Sequence, residues 1–183
     1  MTMRILGFGQ PDGGIIQLAY VVTDLATAME EWRALLRVGP WFVLRNFAGL
    51  DPRYRGQPAL ARCDVAFGFA GHMQYELVHQ TDEEPSIYRR ADGSLKVGFH
   101  HYGMAAADFS ADAARLEARG FEKLFTAVVP SGGRVAVYDT KGVLPGMIEL
   151  IESDAALDAM FTGMYRESID WDGGDPVREI ALT

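Results

Sequence analysis

The sequence predicts an α+β fold built from two tandem β-α-β-β-β modules, and three observations carry that prediction. His101 follows Gln17 by 84 residues and Asp108 follows Asp24 by the same 84, so QLAYVVTDL lies over HYGMAAADF without a gap. QYELV (74–78) lies over MIELI (147–151), which matches Glu76 to Glu149. Each half also runs through one strand, one helix and three strands, and recurrence of this kind marks an internal repeat. The expected boundaries are a first module at 14–80, a linker at 81–98, a second module at 99–152 and a helical tail at 153–183.

The elements follow in order. IIQLAYVV (15–22) reads as a buried strand with one polar intruder, Gln17. Thr23 or Asp24 caps a helix whose Leu25, Met29, Trp32, Leu35 and Leu36 recur at helical spacing, and Gly39-Pro40 ends it. WFVLRNF (41–47) reads as a second strand. AGLDPRYRGQPAL (48–60), with two prolines and two glycines, reads as a long excursion. Strands at 61–69 and 72–79 flank a turn at Gly71. Residues 80–98 are polar and irregular, with a short helical turn expected at PSIYRR. The second module runs from a strand at 100–107 through a helix begun by Asp108 and closed by Gly120. Three strands follow, in FEKLFTAV, GRVAVYDT and PGMIELIE, and then a helix at 154–168.

Composition narrows the function. Nearly half of the 183 residues are apolar (49%), enough for a sizeable core. Acidic residues outnumber basic ones 25 to 17, so the net charge is −8. That balance excludes the cationic footprint of a nucleic-acid binder. No apolar run reaches the ~18–20 residues that span a bilayer, and the N-terminus is a poor signal peptide. The single cysteine, Cys63, has no internal disulfide partner. A cytoplasmic protein with a small-molecule partner is expected. GFGQPDGG (7–14) lacks the spacing of a phosphate loop.

Four polar residues interrupt strands that otherwise read as buried: Gln17, Glu76, His101 and Glu149. Alternation places Gln17 on one face with Ala19 and Val21, Glu76 with Gln74 and Val78, His101 with Gly103 and Ala105, and Glu149 with Met147 and Ile151. The opposite faces are bulky and apolar, as a face under a helix should be. Buried carboxylates need a compensating charge, and no lysine or arginine occurs on these strand faces. One divalent cation neutralises both glutamates, with the Gln17 amide oxygen and a His101 nitrogen as further donors. Zinc, nickel, cobalt, manganese and iron all suit this mixed oxygen and nitrogen set. Alternation turns His100 and His79 away from the site, and His72 falls at a solvated turn. Tyr54, Arg55, Tyr88 and Arg89 lie in irregular segments placed to fold over a cavity mouth.

Through QLAYVVTDLATAMEEW, YELVHQ, GFHHYGMAAADF and GMIELIES, the chain resembles the vicinal-oxygen-chelate superfamily over roughly residues 14–152. That superfamily includes glyoxalase I, methylmalonyl-CoA epimerase, extradiol dioxygenases and the bleomycin and fosfomycin resistance proteins. The resemblance implies a half-open mixed β-barrel around a metal cavity, with ligands on the first and fourth strands of each module: Gln17, Glu76, His101 and Glu149. It implies an isomerase, epimerase or lyase that chelates adjacent substrate oxygens and stabilises an enediolate or enolate. Glu149 is then the expected base, with Glu76 second. The alternative is a non-catalytic binding or sequestration protein of the bleomycin-resistance type.

Some family members are excluded. Gln17 breaks the two-histidine, one-carboxylate iron site of extradiol dioxygenases. Val21 stands where glyoxalase I carries the arginine that grips glutathione. With Ala19, Gly103, Ala105 and Gln74, Val21 is expected to line an apolar substrate cavity. That cavity would take a bulky hydrophobic carbonyl compound, an acyl-CoA or a polycyclic or aromatic metabolite. A homodimer is expected from the family and from two apolar segments, ILGF near the N-terminus and Met160, Phe161, Met164 and Tyr165 in the tail.

Overall fold

A computed structural model describes residues 4–180. The first half comprises β1 (Ile15–Val21), α1 (Leu25–Leu36), β2 (Trp41–Phe47), β3 (Leu50–Tyr54), β4 (Gln57–Pro58), β5 (Cys63–Ala70) and β6 (Met73–Gln80). The second comprises β7 (Gly98–Ala106), α2 (Phe109–Ala118), β8 (Glu122–Val128), β9 (Arg134–Asp139) and β10 (Met147–Glu152). The tail adds α3 (Ala155–Ser168) and β11 (Val177–Glu179). Asp24 and Asp108, the aligned aspartates, both cap helices: each side chain accepts a backbone N–H of the first turn, from Thr27 and Ala111. Such a cap stabilises a helix by about 1 kcal/mol.

All eleven strands join one mixed sheet in the order β11-β2-β5-β6-β1-β7-β10-β9-β8-β3-β4. The order is symmetric about the antiparallel β1–β7 pair, with each module's fourth strand lying parallel to its first. The four strands carrying the candidate ligands, β6, β1, β7 and β10, are therefore the adjacent centre of the sheet.

Residues 48–60 are not the irregular excursion their prolines and glycines predict. Leu50–Tyr54 pairs with β8 of the other module, at the opposite end of the sheet from β2. Only Ala48 and Gly49 separate β2 from β3, and three peptide steps reach at most about 11 Å. The sheet must therefore roll until its two ends meet, which makes the half-open barrel. Gly49 crosses the seam at φ +79°, where a Cβ would lie 2.8 Å from Ala127 Cβ. Three other local expectations change. Helix α1 ends at Arg37, in left-handed conformation, before Gly39 is reached. PSIYRR forms a turn and an isolated bridge (Arg89 to Leu95) and no helical turn. Beyond α3, Val177–Glu179 adds a parallel edge strand to β2.

The outer face of the sheet packs under helices as alternation requires. Leu25 and Met29 of α1 meet Leu77 with Tyr20 and Tyr75, and Leu116 of α2 meets Ile148 and Leu150. The inner face is covered differently. Leu157, Phe161 and Met164 of α3 cluster with Leu6, Phe8, Ile16, Phe69, Ala105 and Ile151. The two apolar segments that suggested a dimer contact thus cover each other within one chain. No helix among the described residues is long and apolar enough to cross a membrane.

Candidate metal centre

At the centre of the rolled sheet, Glu76, His101 and Glu149 bring three donor atoms within 4.8 Å of one another. His101 Nε2 lies 3.2 Å from Glu76 Oε2 and 3.2 Å from Glu149 Oε2. Neither approach is aligned as a hydrogen bond: Glu76 Oε2 and His101 Nε2 are buried without a hydrogen-bond partner. A third orphan, Gln17 Oε1, belongs to a residue of the same cavity lining as Glu76 and Glu149. Gln17 Nε2 donates to Gln74 Oε1 at 2.8 Å, which commits the amide nitrogen and leaves the oxygen free.

Register explains why the four meet. Gln17 and Glu149 both pair with Gly103 of β7, one from each flanking strand, while Ala19 pairs with both Glu76 and His101. A Cβ at Gly103 would stand 2.8 Å from Gln17 Oε1, so the absent side chain is the space that the amide occupies.

The electrostatics are those of a site short of positive charge. Burial pushes the Glu76 carboxyl up, against the lowering effect of His101. Burial alone would lower the His101 imidazole, yet Glu149 and Glu76 push it up to about 10. The cluster sets two acids against one base, and buried polar atoms without a partner are costly. A divalent cation placed among these donors would give Gln17 Oε1, Glu76 Oε2 and His101 Nε2 the partner they lack, so the donor set fits a metal.

His100 departs from its expected orientation. One step along β1, from Ala19 to Tyr20, corresponds to two along β7, from His101 to Phe99. This β-bulge suspends alternation. Phe99 and Tyr102, three apart, pack edge to face on the helix side, and His100 and His101 both turn inward. His100 Nδ1 lies 2.8 Å from His101 Nδ1, and its Nε2 lies 3.0 Å from the Ile87 carbonyl. Burial, with the neighbouring charge of His101, lowers the His100 imidazole to about 3, so it stays neutral. Two aromatics three apart in FHHY were the available signal, since period-two alternation cannot place both on one face. The other histidines lie elsewhere: His79 bonds the Val22 carbonyl, and exposed His72 stacks on Tyr165.

A cavity opens from the cluster toward solvent. Gln17, Glu76 and Glu149 stand in its wall, with Phe47, Tyr54, Tyr88, Phe125, Met160 and Phe161 among the many apolar and aromatic residues. Among the described residues that line it there is no lysine or arginine. The five residues expected to line it do not. Ala19 and Val21 are fully buried, and Ala105 packs against α3. Gln74 is buried between Gln17 and Met164, and Gln17 and Ile151 fill the space at Gly103. Alternation puts these residues on the same face as Gln17 and Glu149, but neighbouring side chains and α3 cover that part of it. The working wall comes from β2, β3, β5, β8, α3 and the segment 81–98, through Ser86, Ile87 and Tyr88. Tyr54 and Tyr88 are thus cavity residues, while Arg55 stacks over Tyr54 and Arg89 ties down its own segment through the Asp82 and Gly93 carbonyls.

Comparison with known proteins agrees with the topology. A family model described as the glyoxalase/bleomycin resistance protein/dioxygenase superfamily matches residues 16–138, a span that holds Gln17, Glu76 and His101 but stops short of Glu149. Methylmalonyl-CoA epimerase from Mycobacterium tuberculosis superposes with a TM-score of 0.55 at 19% identity, over 87% of this chain and 97% of that one. A methylmalonyl-CoA epimerase in complex with methylmalonyl-CoA and ammonium gives 0.55 at 20%, over 79% and 96%. A hypothetical protein from Bacillus halodurans gives 0.55 at 16%, over 76% and 94%. At these identities the likeness is one of fold. No curated protein matches the sequence.

Proposed function

Since this chain belongs to the glyoxalase/bleomycin resistance protein/dioxygenase superfamily, we propose that it is a divalent-metal-dependent isomerase, epimerase or lyase that moves a proton next to a carbonyl. The observation that supports this most is the set of orphaned donors, Gln17 Oε1, Glu76 Oε2 and His101 Nε2, beside Glu149 at the inner end of an apolar cavity. Gln17, Glu76, His101 and Glu149 would hold the cation. When bound, it would act as a Lewis acid on a substrate carbonyl and stabilise negative charge developing there.

The protein's own groups do the rest. Glu149 stands in the cavity wall, so its carboxylate is the first choice to take the proton α to the carbonyl and return it. Glu76, more deeply held, is the second. The aromatic and aliphatic wall excludes water and binds the body of the substrate at roughly 25 cal/mol per Å2 of apolar area buried. Without an interior cation, that wall favours an aromatic or polycyclic carbonyl compound. An acyl-CoA would have to keep its phosphates outside, and the carboxylates of a glutathione adduct of methylglyoxal would find no lysine or arginine in that wall.

The test has two arms. The chain, purified without a histidine tag, is analysed for metal, and the metal-loaded protein is then given aromatic and polycyclic carbonyl compounds in D2O. Deuterium entering the α position supports the reading. Efficient thioester formation from methylglyoxal and glutathione would overturn the substrate class. A metal-free chain that binds apolar ligands without exchange would be a sequestration protein. All four donors come from one chain, so the expected homodimer would add an interface without adding a ligand. A light-scattering mass near twice 20.1 kDa would support it.

A further inference from the structure

The Ile87 carbonyl is an acceptor only, and it takes Lys96 Nζ at 2.8 Å and His100 Nε2 at 3.0 Å. The hydrogen on His100 therefore sits on Nε2. A neutral His100 then presents a bare Nδ1, which lies 2.8 Å from His101 Nδ1. The shared proton must belong to His101 Nδ1, and the lone pair of a neutral His101 falls on Nε2, the atom 3.2 Å from both carboxylates. We propose that His100 is a positioning residue of the metal centre, fixing the tautomer and ring orientation of His101 through a hydrogen-bond chain that begins at the Ile87 carbonyl. This rests on the reading that Glu76, His101 and Glu149 hold a metal.

The chain also ties the centre to the cavity wall. Ile87 and Tyr88 line the cavity, and the Tyr88 ring packs on His100 with centroids 4.9 Å apart. The segment that lines the cavity therefore supplies the first link in orienting His101. Outer partners of this kind typically change metal affinity 10–100-fold when removed.

Two measurements test the proposal. In 15N NMR of the histidine-labelled, metal-free chain, His100 should carry its proton on Nε2 and show an unprotonated Nδ1. A protonated His100 Nδ1 would overturn the proposal whether or not metal binds. Zinc affinity is then measured for the parent, His100→Leu and His100→Asn. Leucine removes the acceptor and should weaken zinc about 10–100-fold. Asparagine can set its side-chain oxygen where Nδ1 stands and should recover most of that loss. Equal affinities for the two variants would overturn the proposal, because a purely structural histidine has no reason to be rescued by an acceptor. If the leucine variant does not fold, asparagine against parent and the NMR tautomer decide. A parent chain that takes up no zinc, with the predicted His100 tautomer present, would sink the metal reading and leave the hydrogen-bond chain standing.

Discussion

Replacing Gly103 with alanine puts the site's geometry under a direct strain. The new Cβ would lie 2.8 Å from Gln17 Oε1, 2.9 Å from Gln17 Cβ and 3.1 Å from Ile151 Cδ1. An amide oxygen can rotate away, but a Cβ is fixed to its backbone, so β1 and β7 must move apart at the residue pair that places Gln17. Overpacking of this kind costs about 1–3 kcal/mol. It is partly offset by the roughly 0.5–1 kcal/mol that alanine gains over glycine inside a strand. The net loss should be about 1–2 kcal/mol, which lowers Tm by roughly 2–8 °C for a chain of this length. Zinc affinity should fall as well, because Gln17 Oε1 is displaced. Gly163 is the matched control, since a Cβ added there in the middle of α3 meets nothing within 4 Å. Gly163→Ala should raise stability by about 0.5–1 kcal/mol and leave zinc binding alone. Thermal melts of the metal-free proteins and calorimetric zinc titrations read both effects. If Gly103→Ala melts and binds zinc like the parent, Gln17 is not held where the register places it and is no ligand.

Glu149→Gln should abolish α-proton exchange while the circular dichroism stays that of the parent; near-normal kcat would move the base elsewhere. His101→Ala should lower metal occupancy, because it removes the only nitrogen donor of the set; full occupancy by native mass spectrometry would count against it. In the metal-free protein the raised His101 imidazole contributes stability that is complete below about pH 6.5 and lost as pH climbs to about 10. Zinc must displace its Nε2 proton, so titrations near pH 7 in buffers of different ionisation enthalpy should show about one proton released per ion, and none would refute the exchange. Arg134 first, through its paired hydrogen bonds, holds the Glu152 carboxyl down to about 2. The pair therefore contributes above about pH 4.5, and its contribution disappears toward pH 2, so the stability gap between parent and Arg134→Gln should close over that range; a gap independent of pH would contradict it.

The residues themselves determined the repeat, the helix caps and the chemistry of the site. Those are local or periodic properties: a carboxylate in an apolar strand is anomalous wherever the strand ends up, and 84-residue spacing is visible without coordinates. Gln17, Glu76, His101 and Glu149 stand together because each occupies an equivalent place in one of two four-strand arrangements that mirror each other about β1 and β7. What the chain alone could not disclose depends on partners far away in sequence. The bulge opposite Ala19 and Tyr20 turns His100 inward, and a bulge is a mismatch between two strands that neither strand contains by itself. Pairing of Leu50–Tyr54 with β8 rolls the sheet, and that edge belongs to the other module, far away in sequence. The cavity wall moved for the same reason. Alternation decides which way Ala19, Val21 and Ala105 point, but α3 and the neighbouring side chains decide which part of that face stays open. A face is a property of one strand; an empty space is a property of everything packed around it.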